Sequence, residues 1–148
     1  MQTFLPYPDF DESAKCLDSK RLGNQAYREG KTLIDGGWKN HPASKMWQGY
    51  EYALAEYCLA CLRELQRRDK YYPKWFDYFE NKKKILTNTG LPPWIGNVQF
   101  HDSHKSNLLR KDYNYYSVFF GTDLPANLPY VWPVKTLKIA KIRKKMRE

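Results

Sequence analysis

The sequence predicts an all-α protein, a small single-domain helical bundle with long ordered connections rich in proline and aromatic residues. Apolar residues recur every three or four positions from Met46 to Leu65, so they share one face of a helix. No segment shows the strict alternation that is typical of a half-buried strand. The chain has 148 residues, of which 42% are hydrophobic and 16% aromatic, which fits one folded domain and excludes general disorder.

Two helices are predicted in the first half of the chain. The first begins at Asp11 or Ser13 and runs toward Ile34, where the sequence Asp-Gly-Gly at 35–37 marks its end because glycine supplies the backbone angles of a helix end. The second begins at Ser44, which is expected to cap it, and continues for about six turns. These two helices supply most of the expected core.

The second half is predicted to alternate between loops and one further helix. Residues 71–79 hold six aromatic side chains in nine positions and are expected to form a loop that can stack on exposed bases. A third helix is expected to begin at Asp102 or Ser103 and to run toward Tyr116. Residues 124–133 are punctuated by proline and read as extended.

The positive charge of the chain is divided unequally between a body and a tail. The formal net charge is +9, and residues 135–148 contain seven basic side chains and one acidic one. Residues 1–134 form the predicted domain and carry 18 basic and 15 acidic side chains. The tail is expected either to be a solvated end or to lie along a phosphate backbone, where neutralised phosphates release counterions.

Several classes of protein are excluded by what the sequence lacks. No apolar run approaches the ~20 residues that cross a bilayer, and the N-terminus has no secretory pattern. Three cysteines without such a pattern favour a reducing cytoplasm. Cys58 and Cys61, with His101 and His104, have spacings that zinc sites use, but the cysteines fall on the apolar face of a regular helix. We therefore expect no metal and no cofactor.

Two basic clusters are the candidates for nucleic-acid binding. One lies in the first helix and has a single acid, Glu29, among its bases; the other lies at 101–111. In the second cluster, amide, imidazole, guanidinium and ammonium groups near a helix N-terminus suit phosphate binding. A solvated basic face is the alternative, but it does not require two histidines and Asn107, which favour phosphate binding. Glu29 is either an acid–base residue or a partner of neighbouring cations. The candidate DNA-binding residues are Arg21, Asn24, Gln25, Lys31, His41, His101, His104, Lys105, Asn107, Arg110 and Lys111.

Several motifs of the chain resemble those of one enzyme family. They are LDSKRLGNQ at 17–25, YRE at 27–29, GWKNHPA at 37–43, MWQGY at 46–50, LPPW at 91–94, FH at 100–101, SHKSNLLRKD at 103–112 and YY at 115–116. On these residues, which cover most of 1–133, the chain resembles the pyrimidine-dimer DNA glycosylase/AP lyase family, the phage endonuclease V type with its distant bacterial relatives.

The resemblance implies a compact all-α enzyme that flips a nucleotide out of damaged double-stranded DNA. In that family an N-terminal α-amine attacks the sugar C1′ to form a Schiff base, and a glutamate of the first helix assists. An amine with a pKa near 8 is partly neutral at pH 7 and therefore nucleophilic. Carried over, Glu29 is the assisting carboxylate, Arg28 its phosphate-holding neighbour, and His41 lies in a matching motif. The implied protein is a cytoplasmic monomer, and its resemblance to the phage type implies a phage-encoded protein that acts in a bacterial host as one reading.

The second residue departs from the family pattern. The family nucleophile is a small residue exposed when the initiator methionine is removed, and the bulk of Gln2 should prevent that removal. Three readings stay open: the amine of Met1 serves as nucleophile, the protein is a monofunctional glycosylase, or the lyase step is lost. A non-catalytic basic α-helical protein that binds nucleic acid is the alternative function.

Overall fold

The computed structural model describes residues 2–133 and confirms the all-α class, since every regular element within that range is helical. Met1, the predicted tail and the boundary at residue 134 lie outside the described residues. The elements are α1 Phe10–Cys16, α2 Ser19–Asn24, a π-helical segment Gln25–Gly30, α3 Lys31–Ile34, α4 Pro42–Trp47, α5 Glu51–Arg67, α6 Pro73–Ile85, α7 Val98–Lys111 and α8 Tyr113–Phe120.

The long helix α5 is the centre of the fold. The π-helical segment and helices α1, α2, α3 and α6 all pack against it. Leu54, Tyr57, Cys58 and Leu62 on this helix are completely buried. A helix that is apolar around most of its circumference belongs inside a protein, and α5 accordingly holds the surrounding short helices together.

The predicted second helix is two helices. His41, and not Ser44, caps the first of them, α4, by accepting the N–H of Ala43 on Nδ1 at 3.0 Å. The chain then turns at Gly49, whose φ of 87° a side chain would disfavour, before α5 begins at Glu51. The apolar periodicity is continuous across this turn, which explains why the sequence predicts one helix.

The predicted first helix is likewise interrupted. Asp9 caps α1 by accepting the N–H of Glu12, and the helix ends at Cys16. Leu17 is extended, and Asp18 begins α2 by accepting the N–H of Arg21 at 3.3 Å. Two aspartates therefore cap two helices where the apolar pattern predicts one.

Two further boundaries differ from expectation. Residues 71–79 are not a loop, because α6 begins at Pro73 and buries Phe79 against the core. Helix α7 begins earlier than expected, after Asn97, whose side chain accepts the N–H of Phe100 at 2.9 Å. It ends at Asp112, which caps the separate helix α8. No helix among residues 2–133 is long and apolar enough to cross a bilayer.

The buried segment 2–5 is extended and runs between the helices. It has no strand partner, so side chains satisfy its main-chain groups. The N–H of Phe4 donates to Gln25 Oε1 at 2.7 Å, and the N–H of Leu5 donates to His104 Nδ1 at 2.8 Å. Trp47 Nε1 donates to Thr3 Oγ1 at 3.0 Å. These bonds place the start of the chain beside the π-helical segment.

Candidate active site

A cavity of about 310 Å³ lies where segment 2–5 meets the π-helical segment and the end of α7. It brings together five of the predicted site residues, which are Arg21, Asn24, Gln25, Glu29 and Lys111, and three others, Gln2, Phe4 and Tyr130. A larger cavity of about 370 Å³, bounded by α3, α4 and α5, contains none of the predicted residues. We therefore take the first cavity, called here the Glu29 cavity, as the candidate active site.

The π-helical segment carries the carboxylate of this cavity. Such wide turns are rare and are often found at functional sites. Glycine lets the segment lie directly on α5, because a Cβ at Gly30 would be 2.1 Å from Cys58 Sγ. Arg21, Gln25 and Glu29 follow one another at intervals of four residues, and all three border the cavity.

Glu29 is half-buried, and its environment suits proton transfer. Burial raises the pKa of its carboxyl above the ordinary value, and positive charges, that of Arg28 among them, act in the opposite direction. A carboxyl with a raised pKa changes its protonation state closer to neutral pH, which general acid–base catalysis requires. Arg28 itself is exposed and does not border the cavity.

Two cations border the same cavity. Arg21 Nη1 donates to Asp18 Oδ1 at 3.0 Å, and the hydroxyl of Tyr116 donates to the same carboxylate. Although burial raises it, these hydrogen bonds lower the pKa of Asp18 overall, so the carboxylate stays charged and holds the guanidinium in place. Lys111 is exposed at the end of α7. Arginine and lysine beside a cavity suit contacts with DNA phosphates.

Gln25 borders the cavity, but its side chain is committed to the protein. Its Oε1 accepts the N–H of Phe4 at 2.7 Å and the hydroxyl of Tyr57 at 3.1 Å, and its Nε2 donates to the carbonyl of Gln2 at 3.1 Å. The expected DNA contact of Gln25 is therefore corrected: this amide holds segment 2–5 in place.

The expected phosphate-binding surface at 101–111 is not formed by His101, His104 and Asn107, because all three are buried. His101 Nδ1 bonds the carbonyl of Leu5 at 2.7 Å, and its Nε2 accepts the N–H of Gly96 at 2.9 Å. Asn107 Nδ2 donates to two main-chain carbonyls. These polar side chains satisfy irregular backbone around α7, which explains residue types that a solvated face does not require.

The remaining predicted residues lie outside the cavity lining. Lys31 forms an ion pair with Asp35 at 2.9 Å, and His41 caps α4. Lys105 Nζ lies 4.6 Å from the ring centre of Tyr7. Arg110 is exposed and donates to the side-chain oxygen of Asn107. Their part in DNA binding stays a prediction.

The three cysteines are free and buried. Burial raises the pKa of both Cys16 and Cys61 to about 12, which disfavours the thiolate that a metal ligand or a nucleophile requires. Among residues 2–133, no group of three or more His, Cys, Asp and Glu side chains is arranged to hold a metal ion.

Gln2, Phe4 and Tyr130 complete the cavity but were not predicted as site residues. Phe4 and Tyr130 belong to extended, proline-containing segments that are far apart in the chain, and their ring centres lie 6.5 Å apart. Gln2 is 6% exposed, and its Nε2 has no hydrogen-bond partner within the described part of the chain. The signal in the sequence that could have identified Phe4 and Tyr130 is the presence of aromatic residues in proline-containing segments.

His104 makes the stability of the fold sensitive to acid. Burial lowers the pKa of His104 to about 3, from an ordinary value of 6.5. Between these values the unfolded chain binds the proton and the folded chain does not. The neutral His104 therefore costs no free energy of unfolding above pH 6.5, and the free energy of unfolding falls as the pH decreases toward 3. The slope is at most about 1.4 kcal/mol per pH unit for one such proton, and His101, whose pKa is also lowered by burial, adds in the same direction.

Denaturant titrations at several pH values measure this effect. We expect His104→Gln, which can still accept the N–H of Leu5, to reduce the slope of the free energy of unfolding against pH between pH 6 and 4.5. An equal slope in the variant and the parent protein would show that His104 is not the titrating group.

Comparison with known proteins identifies the family of the chain. A family model described as pyrimidine dimer DNA glycosylase matches residues 1–78, more than half of the chain. The match includes Gln2, Phe4, Arg21, Gln25 and Glu29, while Lys111 and Tyr130 lie beyond it. No curated protein and no solved structure matches the chain. The chain belongs to the pyrimidine dimer DNA glycosylase family.

Proposed function

We propose that the protein extrudes a damaged or modified pyrimidine nucleotide from double-stranded DNA into the Glu29 cavity and cleaves its N-glycosidic bond. The observation that carries the proposal is the half-buried Glu29 in a cavity that Arg21 and Lys111 also border. Extrusion costs a few kcal/mol and least at a distorted lesion, which favours damaged sites before any base is read.

We further propose that the α-amine of Met1 is the nucleophile. Met1 lies outside the described residues, but Gln2 borders the Glu29 cavity and consecutive Cα atoms are about 3.8 Å apart. In the proposed step the neutral amine forms a bond to C1′, and the N-glycosidic electron pair leaves with the base, which takes up a proton. The amine then loses a proton, its electron pair forms the C1′=N bond as the C1′–O4′ bond opens, and O4′ takes up a proton, which gives a protonated Schiff base.

Glu29 is the residue that we assign to the proton transfers. As a carboxylate it can accept the C2′ proton, and the electron pair of that C–H bond then expels the 3′-phosphate in a β-elimination. The raised pKa of its carboxyl lets it hold and release a proton during one cycle. Gln2 Nε2, which has no hydrogen-bond partner among residues 2–133, is a further donor at this cavity.

Borohydride trapping tests this function directly. The protein is incubated with duplex DNA that carries a cyclobutane pyrimidine dimer or an abasic site, borohydride is added, and covalent adducts are resolved by mass. We expect an adduct on the peptide that contains the N-terminal amine, and we expect reductive methylation of that amine to abolish it.

The possible outcomes separate the remaining readings. Cleavage of the N-glycosidic bond without an adduct would show a monofunctional glycosylase and contradict the amine assignment alone. Salt-sensitive DNA binding without base release or an adduct, over a panel of pyrimidine lesions and modified pyrimidines, would contradict the glycosylase and favour a binding protein.

A further inference from the structure

We propose that Trp38 stacks on the DNA bases beside the extruded nucleotide, at the outer end of a row of rings that begins at the Glu29 cavity. This aromatic row consists of Tyr130, Trp132, His41 and Trp38. The inference rests on the proposed function, because an unstacked gap in the duplex arises only if a nucleotide leaves the stack.

The aromatic row is continuous. The ring of Tyr130, which borders the Glu29 cavity, lies 5.6 Å from Trp132, measured between ring centres. Trp132 lies 5.8 Å from His41, and His41 lies 5.8 Å from Trp38. A surface of ring contacts therefore leads from the candidate active site to an indole at the surface.

Trp38 is 58% exposed, although its type is usually well buried. Its φ of 58° lies in the left-handed region, which is uncommon for a bulky side chain and costs free energy. Such strain persists only where the surrounding structure imposes it, and it is concentrated at functional sites. The structure thus holds an apolar ring in water at a cost in stability.

The loop that carries Trp38 is well braced. The N–H of Gly37 donates to the carbonyl of Thr32 at 2.8 Å, and a Cβ on Gly37 would lie 2.7 Å from Thr32 Cγ2. The N–H of His41 donates to the carbonyl of Trp38 at 2.9 Å. The indole is consequently presented by a fixed loop, which lowers the entropy that stacking would cost.

The charges around this loop favour a nucleic acid as the occupant. Lys39 and Asn40 follow Trp38 and are exposed, so a cation and an amide accompany the indole. Aromatic side chains interleaved with positive charge bind unstacked bases in many proteins, because every base has a π face and every linkage a negative charge. The chain belongs to a DNA glycosylase family, which makes the duplex beside the extruded nucleotide the expected partner.

The test uses a duplex that cannot be cleaved. A tetrahydrofuran abasic analogue is placed beside 2-aminopurine, whose fluorescence rises on unstacking and falls on stacking against a protein ring. The variants are Trp38→Gly, whose backbone suits a positive φ and should fold at least as well, Trp38→Phe, and Phe119→Ala as a control at another aromatic residue, which is 44% exposed on α8.

We expect Trp38→Gly to bind the abasic duplex about tenfold or more weakly, with a changed 2-aminopurine signal, and to bind intact duplex nearly as well as the parent protein. Trp38→Phe should recover most of the affinity for the abasic duplex and most of the fluorescence signal, and Phe119→Ala should change neither. Parent-like affinity and fluorescence in Trp38→Gly would overturn the inference. Because the readout is binding and not chemistry, that failure is distinct from a failure of the proposed function, which borohydride trapping reports.

Discussion

Replacement of Glu29 by glutamine is expected to slow base excision by about 10²–10⁴-fold, the range that one acid–base group contributes. The amide has nearly the same size as the carboxylate and can still form hydrogen bonds, but it cannot exchange protons at neutral pH. Arg21 and Lys111 keep their positive charge at the cavity, so affinity for lesion DNA should be unchanged or slightly higher. Single-turnover excision and equilibrium binding on the same duplex measure the two effects.

Glu80→Gln is the matched control, because Glu80 is an exposed glutamate on α6 that does not border the Glu29 cavity. It removes one negative charge without touching the site, and its excision rate should equal that of the parent protein. An excision rate of Glu29→Gln equal to that of the parent protein would show that Glu29 takes no part in the reaction. An equal loss of binding and excision would instead make it a binding residue.

Replacement of Gln25 by methionine is expected to lower the free energy of unfolding by about 2–6 kcal/mol, since it leaves two buried polar groups unpaired and each costs about 1–3 kcal/mol. Methionine fills a similar volume but can bond neither the N–H of Phe4 nor the carbonyl of Gln2, both of which Gln25 now holds. Segment 2–5 should loosen, and excision should fall with it because this segment forms one wall of the cavity.

Asn24→Ala is the control that separates the structural role of Gln25, which holds segment 2–5, from a contact with DNA. Asn24 borders the same cavity and is the neighbour of Gln25, but it is partly exposed. We expect a change in the free energy of unfolding of less than about 1 kcal/mol for Asn24→Ala, as for most substitutions away from the core. Chemical denaturation of both variants, followed by circular dichroism, gives the comparison. A Gln25→Met protein as stable as the parent, with weakened DNA binding, would restore the DNA contact that the sequence predicts.

The interruptions in the helices show which features of the fold the spacing of apolar residues predicts and which it does not. Apolar spacing located α5 and the class of the fold, because burial of one helix face repeats along the chain. It did not locate the turn at Gly49 or the cap at Asp18, because these depend on a few local hydrogen bonds and leave the spacing of apolar residues unchanged. Residues 73–79 are helical for a related reason: α6 packs on α5 and buries Phe79 there, and the helix propensity of these residues does not indicate that contact.

Residue type alone was a poor guide to which polar groups face the cavity. His104 and Asn107 looked like phosphate ligands, yet both satisfy main-chain groups in extended segments that are distant in sequence. An extended segment without a sheet partner needs buried donors and acceptors, and their identity depends on which segment crosses which helix. Tyr130 was missed for the converse reason, since only the fold brings residue 130 beside Glu29.

By itself the sequence determined that this protein is an all-α domain with a family motif around Glu29, because burial periodicity and local residue patterns are properties of neighbouring residues. The tertiary structure alone decided that Arg21, Glu29 and Lys111 share one cavity, that Gln25 and His104 serve the fold, and that Trp38 is held in solvent. Those outcomes depend on contacts between residues far apart in the chain, whose energies no local pattern contains.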